Sequence, residues 1–289
     1  PNGAVNGLAG LVYCFERRPD RSWSLVQTLT PSDPSHENYF GRLIDVDGDR
    51  LAVSTLYSNP SVGDMNGAIY VYERDGLGPW TEVAELTTTS PVATGFDFFA
   101  VSISLSGDTL VATAPNEVDP SFNYNGPVHV FVRDEAGVPL WKPAETFFPS
   151  ANYTTGFGLV IEAAIEGDRI VVPITVSDST GDVSGTLSVH ARNAGGASRW
   201  GQIADLSGSN VEDYFGYFAA TIDDGRAMSG TLSDELADGG PGVAYVFDLD
   251  VLASATWRNV GANPDSYGAG AAILGETFVG QVDLATTGH

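Results

Sequence analysis

Apolar and polar residues alternate along most of this chain, in short runs separated by turn residues. The stretch Asn38–Asp75 shows the pattern: an aromatic-glycine pair, a Gly-Asp turn, an apolar run, and a glycine followed by alternating apolar residues. Alternation with a period of two predicts half-buried β-strands, and Gly-Asp or Asp-Gly predicts tight hairpin turns. No stretch has a convincing helical period, so the sequence predicts an all-β protein with almost no helix.

Three markers repeat along the chain with one period. A glycine opens an alternating strand five times, with spacings of 57, 59, 59 and 57 residues, at Gly10, Gly67, Gly126, Gly185 and Gly242. All five tryptophans follow these glycines in one register, at Trp23, Trp80, Trp141, Trp200 and Trp257. An aromatic residue, usually followed by glycine, stands at Phe40, Phe99, Phe157, Phe215 and Tyr267. Each repeat holds four predicted strands.

Four-stranded repeats of about 40 to 60 residues are typical of the blades of a β-propeller. The chain begins just before a third strand and ends just after a second strand, so the terminal strands are expected to share one blade and close the ring. We predict a single propeller domain, residues 1–289, with five four-stranded blades; a fragment of a longer array is the alternative. The predicted blades cover residues 38–86, 97–147, 156–206, 213–259, and 266–289 joined with 1–30.

These motifs, above all DYFGYFAATIDDGRAMSG and GVAYVFD, resemble FG-GAP repeat proteins, the propeller family that includes the heads of integrin α-subunits. The closer likeness is to the bacterial branch, and it covers essentially the whole chain. The family often holds calcium in a D-x-D-x-D-G loop between the first and second strands. Here that position is a short turn, and only Asp45, Asp47 and Asp49 look like metal ligands. Since calcium takes about six to eight oxygen ligands, we predict no cofactor, with calcium as the alternative that the resemblance implies.

The charge of the chain narrows the classes of partner. It has 37 acidic and 13 basic residues and a formal net charge of −24, which argues against nucleic acid and anionic membranes as partners. No apolar run approaches the roughly 20 residues that span a bilayer. Residue 1 is not followed by a charged and then an apolar segment, so any signal peptide is expected to lie outside this sequence. These features suit a secreted or cell-surface monomer.

Few single residues suggest a catalytic, metal-binding or sugar-binding role. The one cysteine, Cys14, stands where the next repeat has Val71, so we interpret it as a small buried residue rather than a nucleophile. The tryptophans are interpreted as packing between blades rather than stacking on sugars. His129 and His190 lie two registers apart on third strands, which argues against a shared metal site. No motif for a hydrolase nucleophile, a zinc protease or a phosphate-binding loop is present.

Charge divides unevenly between the two sets of connections. The connections from second to third strands, together with those from one blade to the next, are expected to form one face of a propeller. We call this set the acidic loop face, because it contains many acids and no lysine or arginine, whereas nine arginines fall on the opposite set. Loops on a rigid scaffold commonly carry function, although an acidic surface also serves solubility alone.

We therefore predict an extracellular recognition module that binds a protein or carbohydrate partner through the acidic loop face. One alternative is a glycan-active hydrolase or lyase, which would need a pair of first-strand carboxylates, one with a raised pKa. The sequence offers little sign of such a pair, so we favour a protein that is not an enzyme. Another alternative is a purely structural propeller of a larger surface protein. The residues predicted to contact the partner are Asn66, Glu117, Asp119, Phe122, Tyr124, Asp178, Asp182 and Asp234.

Overall fold

A computed structural model shows the chain as β-strands joined by short connections. The described part contains no α-helix, and hence no helix long and apolar enough to cross a membrane. This confirms the predicted all-β class. The structure describes residues 10–33, 39–56, 66–88, 97–117, 126–137, 139–149, 158–159, 162–177, 183–207, 215–216, 220–231, 242–250, 258–263, 272–274 and 277–279.

Contacts divide the chain into two compact units, residues 1–117 with 129–144 and residues 118–128 with 145–289. The first unit holds a two-stranded sheet, a four-stranded sheet and most of a second four-stranded sheet. The strands of these three sheets are β1 (Val12–Arg17), β2 (Trp23–Leu29), β3 (Ile44–Asp47), β4 (Arg50–Thr55), β5 (Ala68–Glu73), β6 (Thr81–Leu86), β7 (Ile103–Ser106), β8 (Thr109–Thr113), β9 (Val128–Arg133) and β10 (Trp141–Phe147).

The second unit contains three further sheets, with five, four and two strands. In the largest of them, two short strands, β11 and β12, both pair with β13. The strands of this unit are β11 (Gly158–Leu159), β12 (Ala164–Glu166), β13 (Arg169–Ser177), β14 (Val183–Arg192), β15 (Trp200–Leu206), β16 (Ala220–Asp223), β17 (Arg226–Gly230), β18 (Gly242–Asp248), β19 (Arg258–Asn263), β20 (Ala272–Leu274) and β21 (Thr277–Val279).

Each four-stranded sheet places its strands side by side in chain order, as the blades of a propeller do. The first two strands of a sheet are joined by a two-residue turn, because Asp47 pairs with Arg50 and Asp223 pairs with Arg226. The first turn residue is left-handed in both, with φ of 59° at Gly48 and 50° at Asp224. The predicted propeller fold and its Gly-Asp and Asp-Gly hairpins are therefore confirmed.

The core lies on the second and third strands of the sheets. In β4 and β5, nearly every side chain is buried, whereas in β6 only the last residue, Leu86, is buried and the others are exposed or half-buried. Strands that are buried on both faces must lie between other layers of the protein. The aromatic residue of the aromatic-glycine pair joins this core in three repeats by an edge-to-face contact with the third strand: Phe40 with Tyr70, Phe99 with His129, and Phe215 with Tyr245.

The glycine that opens the third strand allows successive repeats to approach closely. A Cβ atom added at Gly185 would lie 1.6 Å from the carbonyl oxygen of Phe215, and one at Gly10 would lie 1.8 Å from that of Phe40. In both cases the carbonyl belongs to the aromatic residue of the next repeat. Only glycine fits there, which explains why the two sequence markers share one period.

The tryptophans are less uniform than the sequence suggested. Trp141 and Trp200 are buried, as the interpretation of structural tryptophans requires. Trp23, however, is 64% exposed, so that interpretation is wrong for this residue among the described ones. Among the described residues, its sheet holds the two strands β1 and β2. Trp257 lies outside the described residues.

The predicted terminal blade stays a prediction. The sheet β1–β2 and the sheet β20–β21 have two strands each, the number that a shared four-stranded blade would take from each end. They belong to different compact units. The single-domain organisation and the count of five blades likewise stay predictions.

Candidate functional site

Each sheet has two ends that differ in chemistry. We call the end with the hairpin turns from first to second and from third to fourth strand the turn end. The other end, where second and third strands are connected and the chain leaves for the next sheet, is the loop end. The acidic loop face defined above is made of loop-end connections.

The turn end of the first unit is held by a half-buried ion-pair network around Glu73. Arg133 donates two parallel hydrogen bonds to this carboxylate, from Nε to Oε1 at 2.7 Å and from Nη2 to Oε2 at 3.1 Å. The indole of Trp141 adds a third, from Nε1 to Oε1 at 3.0 Å. Burial disfavours the charge on Glu73, but these donors outweigh it and hold the pKa of the carboxyl below its ordinary value.

Six other described cations at turn ends are also paired with carboxylates. The positive charge of these six is therefore partly neutralised within the protein, although single exposed pairs of this kind add little stability. The pairs are Arg50 with Asp108, Arg74 with Asp49, Arg169 with Asp250, Arg192 with Asp168, Lys142 with Asp134 and Arg199 with Glu145.

The three metal-like aspartates are used to join neighbouring segments. Asp45 Oδ2 accepts a hydrogen bond from the backbone N–H of Leu105 at 2.7 Å, and Asp47 Oδ2 accepts one from Gly107 at 2.6 Å. Asp49 pairs with an arginine, as given above. Burial raises the pKa of Asp45, and the backbone donors offset part of that rise. No group of three or more potential metal ligands occurs among the residues that the structure describes.

The loop end of the sheet β7–β10 contains a buried acid–histidine pair. Glu117, four residues after β8, places Oε2 2.8 Å from Nε2 of His129 on β9. The hydroxyl of Thr88, just after β6, donates to the same carboxylate oxygen at 3.2 Å. Glu117 is 3% exposed and His129 is 4% exposed. Three separate chain segments thus meet at one buried carboxylate.

A second set of hydrogen bonds lies at the same loop end. The backbone N–H of Asp97 donates to Oδ1 of Asn66 at 3.0 Å, and the carbonyl of Asp97 accepts from the N–H of Asn116 at 3.2 Å. Asp97 is fully buried. Asn116 precedes Glu117, so both sets hold the beginning of the connection between β8 and β9.

The backbone of this repeat is also strained. Ala100 has a φ of 62° at the position where other repeats have Gly41, with φ of 85°, and Gly216, with φ of 76°. A residue with a Cβ atom in this conformation costs about 1–3 kcal/mol. Because Ala100 follows Phe99, whose ring contacts His129, the strain lies beside the buried pair.

The structure describes two of the eight predicted binding residues. Asn66 and Glu117 lie at the same loop end, and the backbone of Asp97 and Asn116 connects them. Glu117 is too buried to contact a partner directly, so its predicted contact role is corrected to a supporting one. The remaining six lie outside the described residues: Asp119, Phe122, Tyr124, Asp178, Asp182 and Asp234.

Sequence reasoning missed Thr88, Asp97 and the role of His129. The sequence does mark His129 as unusual, because two other repeats have a tyrosine, Tyr70 and Tyr245, at the same position of the third strand. All three rings pack on the aromatic residue of their repeat, so ring packing alone does not require imidazole. The contact with Glu117 is what distinguishes the histidine.

Two titratable groups in the second unit are shifted by burial. Burial lowers the pKa of His190 to about 4, and its Nε2 lies 3.0 Å from the hydroxyl of Ser188. Burial raises the pKa of Glu162 to about 7, although the backbone N–H of Ala220 donates to its Oε2 at 3.2 Å. His190 is thus neutral at physiological pH, and Glu162 holds its proton part of the time.

The sequence and the fold were compared with known proteins. Residues 23–72 match the family of FG-GAP repeats. The comparison with curated proteins found no match. Similar solved structures include the Hadza microbial sialidase Hz136, with 11% identity, a TM-score of 0.44, and coverage of 76% of this chain and 45% of that chain. The Trypanosoma rangeli sialidase has 11% identity and a TM-score of 0.44 over 86% of this chain and 42% of that chain.

A third similar structure is the Pseudomonas aeruginosa periplasmic gluconolactonase PpgL. It has 16% identity and a TM-score of 0.41 over 89% of this chain and 81% of that chain. This chain spans less than half the length of the two sialidases. At these identities and TM-scores, the likeness carries no argument about activity, substrate or partner.

Proposed function

For this all-β propeller, which carries an FG-GAP repeat over residues 23–72, we propose a role as an extracellular recognition module. The partner is a protein or a glycan, and it is bound by the acidic loop face. Acidic and amide side chains beside aromatic rings suit hydrogen bonding to hydroxyl or amine groups combined with stacking. No cofactor enters this proposal.

The separation of charge between the two ends of the sheets carries the proposal. At the described turn ends, six arginines are paired with carboxylates of the protein itself, as the network around Glu73 illustrates. The loop-end connections contain many acids, no lysine and one arginine, Arg42, whose guanidinium donates to the carbonyl of Val101. Like charges on adjacent connections repel each other and oppose folding, so solubility alone gives little reason to concentrate them at one end.

A binding screen tests the proposal. The intact chain would be applied to an array of oligosaccharides and to an array of cell-surface protein domains. Each partner found would then be measured with Tyr124→Ala and Asp119→Ala, and the expected loss of affinity is about tenfold or more for each variant, as for a central contact residue.

Arg74→Ala, a change at the turn end, is the matched control. Arg74 pairs with Asp49 and stacks on Trp80, with its guanidinium carbon 4.5 Å from the ring centroid. This variant should bind as the unmodified chain does. Retention of affinity by both loop variants, or its loss in the control alone, would contradict the proposal.

Glu162 supports a second candidate function, a glycan-active hydrolase or lyase. A carboxyl group with a pKa of about 7 can hold a proton at neutral pH and donate it to a leaving oxygen. The test is release of reducing ends from polysaccharides by the intact chain. Activity that Glu162→Gln abolishes would favour this candidate, whereas binding without any cleavage favours the recognition module.

A further inference from the structure

We propose that Glu117 and His129 form a positioning device that fixes the base of the connection between β8 and β9, residues 114–127. This inference rests on the proposed function, because that connection carries three of the predicted contact residues: Asp119, Phe122 and Tyr124. The pair itself is buried. It acts through the connection and does not contact the partner.

The pair lies where the connection leaves β8 and enters β9. Glu117 lies at the beginning of the connection, and His129 stands two residues after its end. Their side chains, 2.8 Å apart, therefore join the two ends of the connection to each other. The hydroxyl of Thr88 and the backbone N–H of Glu117, which donates to the carbonyl of Ala114 at 3.0 Å, complete the base.

The repeats of this chain provide internal controls for the role of the histidine. Tyr70 and Tyr245 occupy the register of His129 and make the same edge-to-face contact with the aromatic residue of their own repeat. A tyrosine would therefore satisfy the packing requirement at position 129. The imidazole adds a contact that ring packing does not need, a hydrogen bond to a buried carboxylate.

Burial makes this contact sensitive to substitution. A buried carboxylate that loses its partner keeps the full penalty of its removal from water. The connection can then open locally to let water reach Glu117, while strands elsewhere keep their hydrogen bonds. Local openings of this kind are measured by hydrogen exchange.

The test is hydrogen–deuterium exchange of the full chain, comparing the unmodified protein with His129→Phe and with Glu117→Met, neither of which can form the hydrogen bond. We expect the backbone amides of residues 114–117 and 126–133 to exchange about tenfold faster or more in both variants, with β3–β6 unchanged. His190→Phe is the matched control, since it replaces another buried third-strand histidine that bonds to a serine. It should leave residues 114–133 unaffected.

Two outcomes would overturn the positioning role. One is unchanged exchange in residues 114–133 in both variants, and the other is a uniform acceleration across all strands. If His129→Phe fails to fold, Glu117→Met decides the question, because methionine has nearly the length and volume of glutamate and cannot hydrogen-bond the imidazole.

Partner binding provides the second readout. Where the array yields a partner, both variants should weaken its affinity, as Tyr124→Ala does, although neither changes a contact residue. Unchanged affinity would overturn the role. A chain that binds nothing on either array defeats the proposed function, while the exchange experiment still decides whether the pair fixes the connection.

Discussion

Replacing His190 by phenylalanine tests how burial makes the second unit sensitive to acid. The ring of His190 is 4% exposed, packs 4.6 Å from the ring of Phe147, and has no carboxylate partner among its described contacts. Phenylalanine is already present at this register in Phe131 and Phe247. The substitution therefore removes the titratable group and keeps a ring that the fold accepts elsewhere.

The magnitude follows from the lowered pKa. Burial lowers the pKa of His190 from its ordinary value of 6.5 to about 4. The unfolded chain therefore binds a proton more readily than the folded chain, and stability falls as the pH drops from 6.5 toward 4. The loss from this group is about 1.4 kcal/mol at pH 5.5 and about 3 kcal/mol at pH 4.

The assay is urea unfolding of both proteins at pH 7.5, 5.5 and 4. At pH 7.5 the variant should be about 1 kcal/mol less stable, because Ser188 loses its hydrogen-bond partner. The difference should then reverse on acidification, and the variant should be about 2 kcal/mol more stable at pH 4. Other groups titrate equally in both proteins and cancel. A difference that stays constant across this range would refute the reasoning.

Five further substitutions, two of them controls, test the packing and the electrostatics. Gly185→Ala should lower the free energy of unfolding by several kcal/mol or prevent folding, because the added Cβ would overlap the carbonyl of Phe215. Gly107→Ala is its control: the added Cβ meets no atom within 4 Å, so the loss measured by urea titration should be only about 1 kcal/mol. Trp141→Phe should lower the unfolding free energy by about 1–3 kcal/mol through the lost indole hydrogen bond, and Trp23→Phe by less than about 0.5 kcal/mol. Because burial raises the pKa of Glu162 from 4.5 to about 7, stability should fall as the pH rises through that interval, and Glu162→Gln should remove this fall in thermal melts at pH 5 and 8.

Most of the fold could be predicted from the sequence because its determinants are local and repeated. Turn glycines such as Gly48 need a left-handed backbone, and Gly185 needs room for a neighbouring carbonyl. These requirements recur in successive repeats, so the sequence displays them several times. Trp23 departs from Trp141 and Trp200 in its exposure, which depends on contacts with other parts of the fold that no local pattern records.

The candidate site could be predicted only in part. The acidic and amide residues of the connections from second to third strands pointed to Asn66 and Glu117, and both lie at the same loop end. This pattern could not show that Glu117 is buried, because burial depends on contacts with Thr88 and His129, residues 29 and 12 positions away in the chain. An unpaired acid in a polar connection is ordinarily solvated, and the partner that buries it here comes from the adjoining strand.

Carboxyl footprinting tests the central claim most directly. A partner found on the arrays would be added in excess, and the rate at which a carbodiimide labels each carboxylate would be compared with and without it. The account predicts slower labelling of the loop-end residues Asp119, Asp178 and Asp182, with Asp49 and Asp108 at the turn ends unchanged. Slower labelling at the turn ends with no change at the loop ends would contradict it.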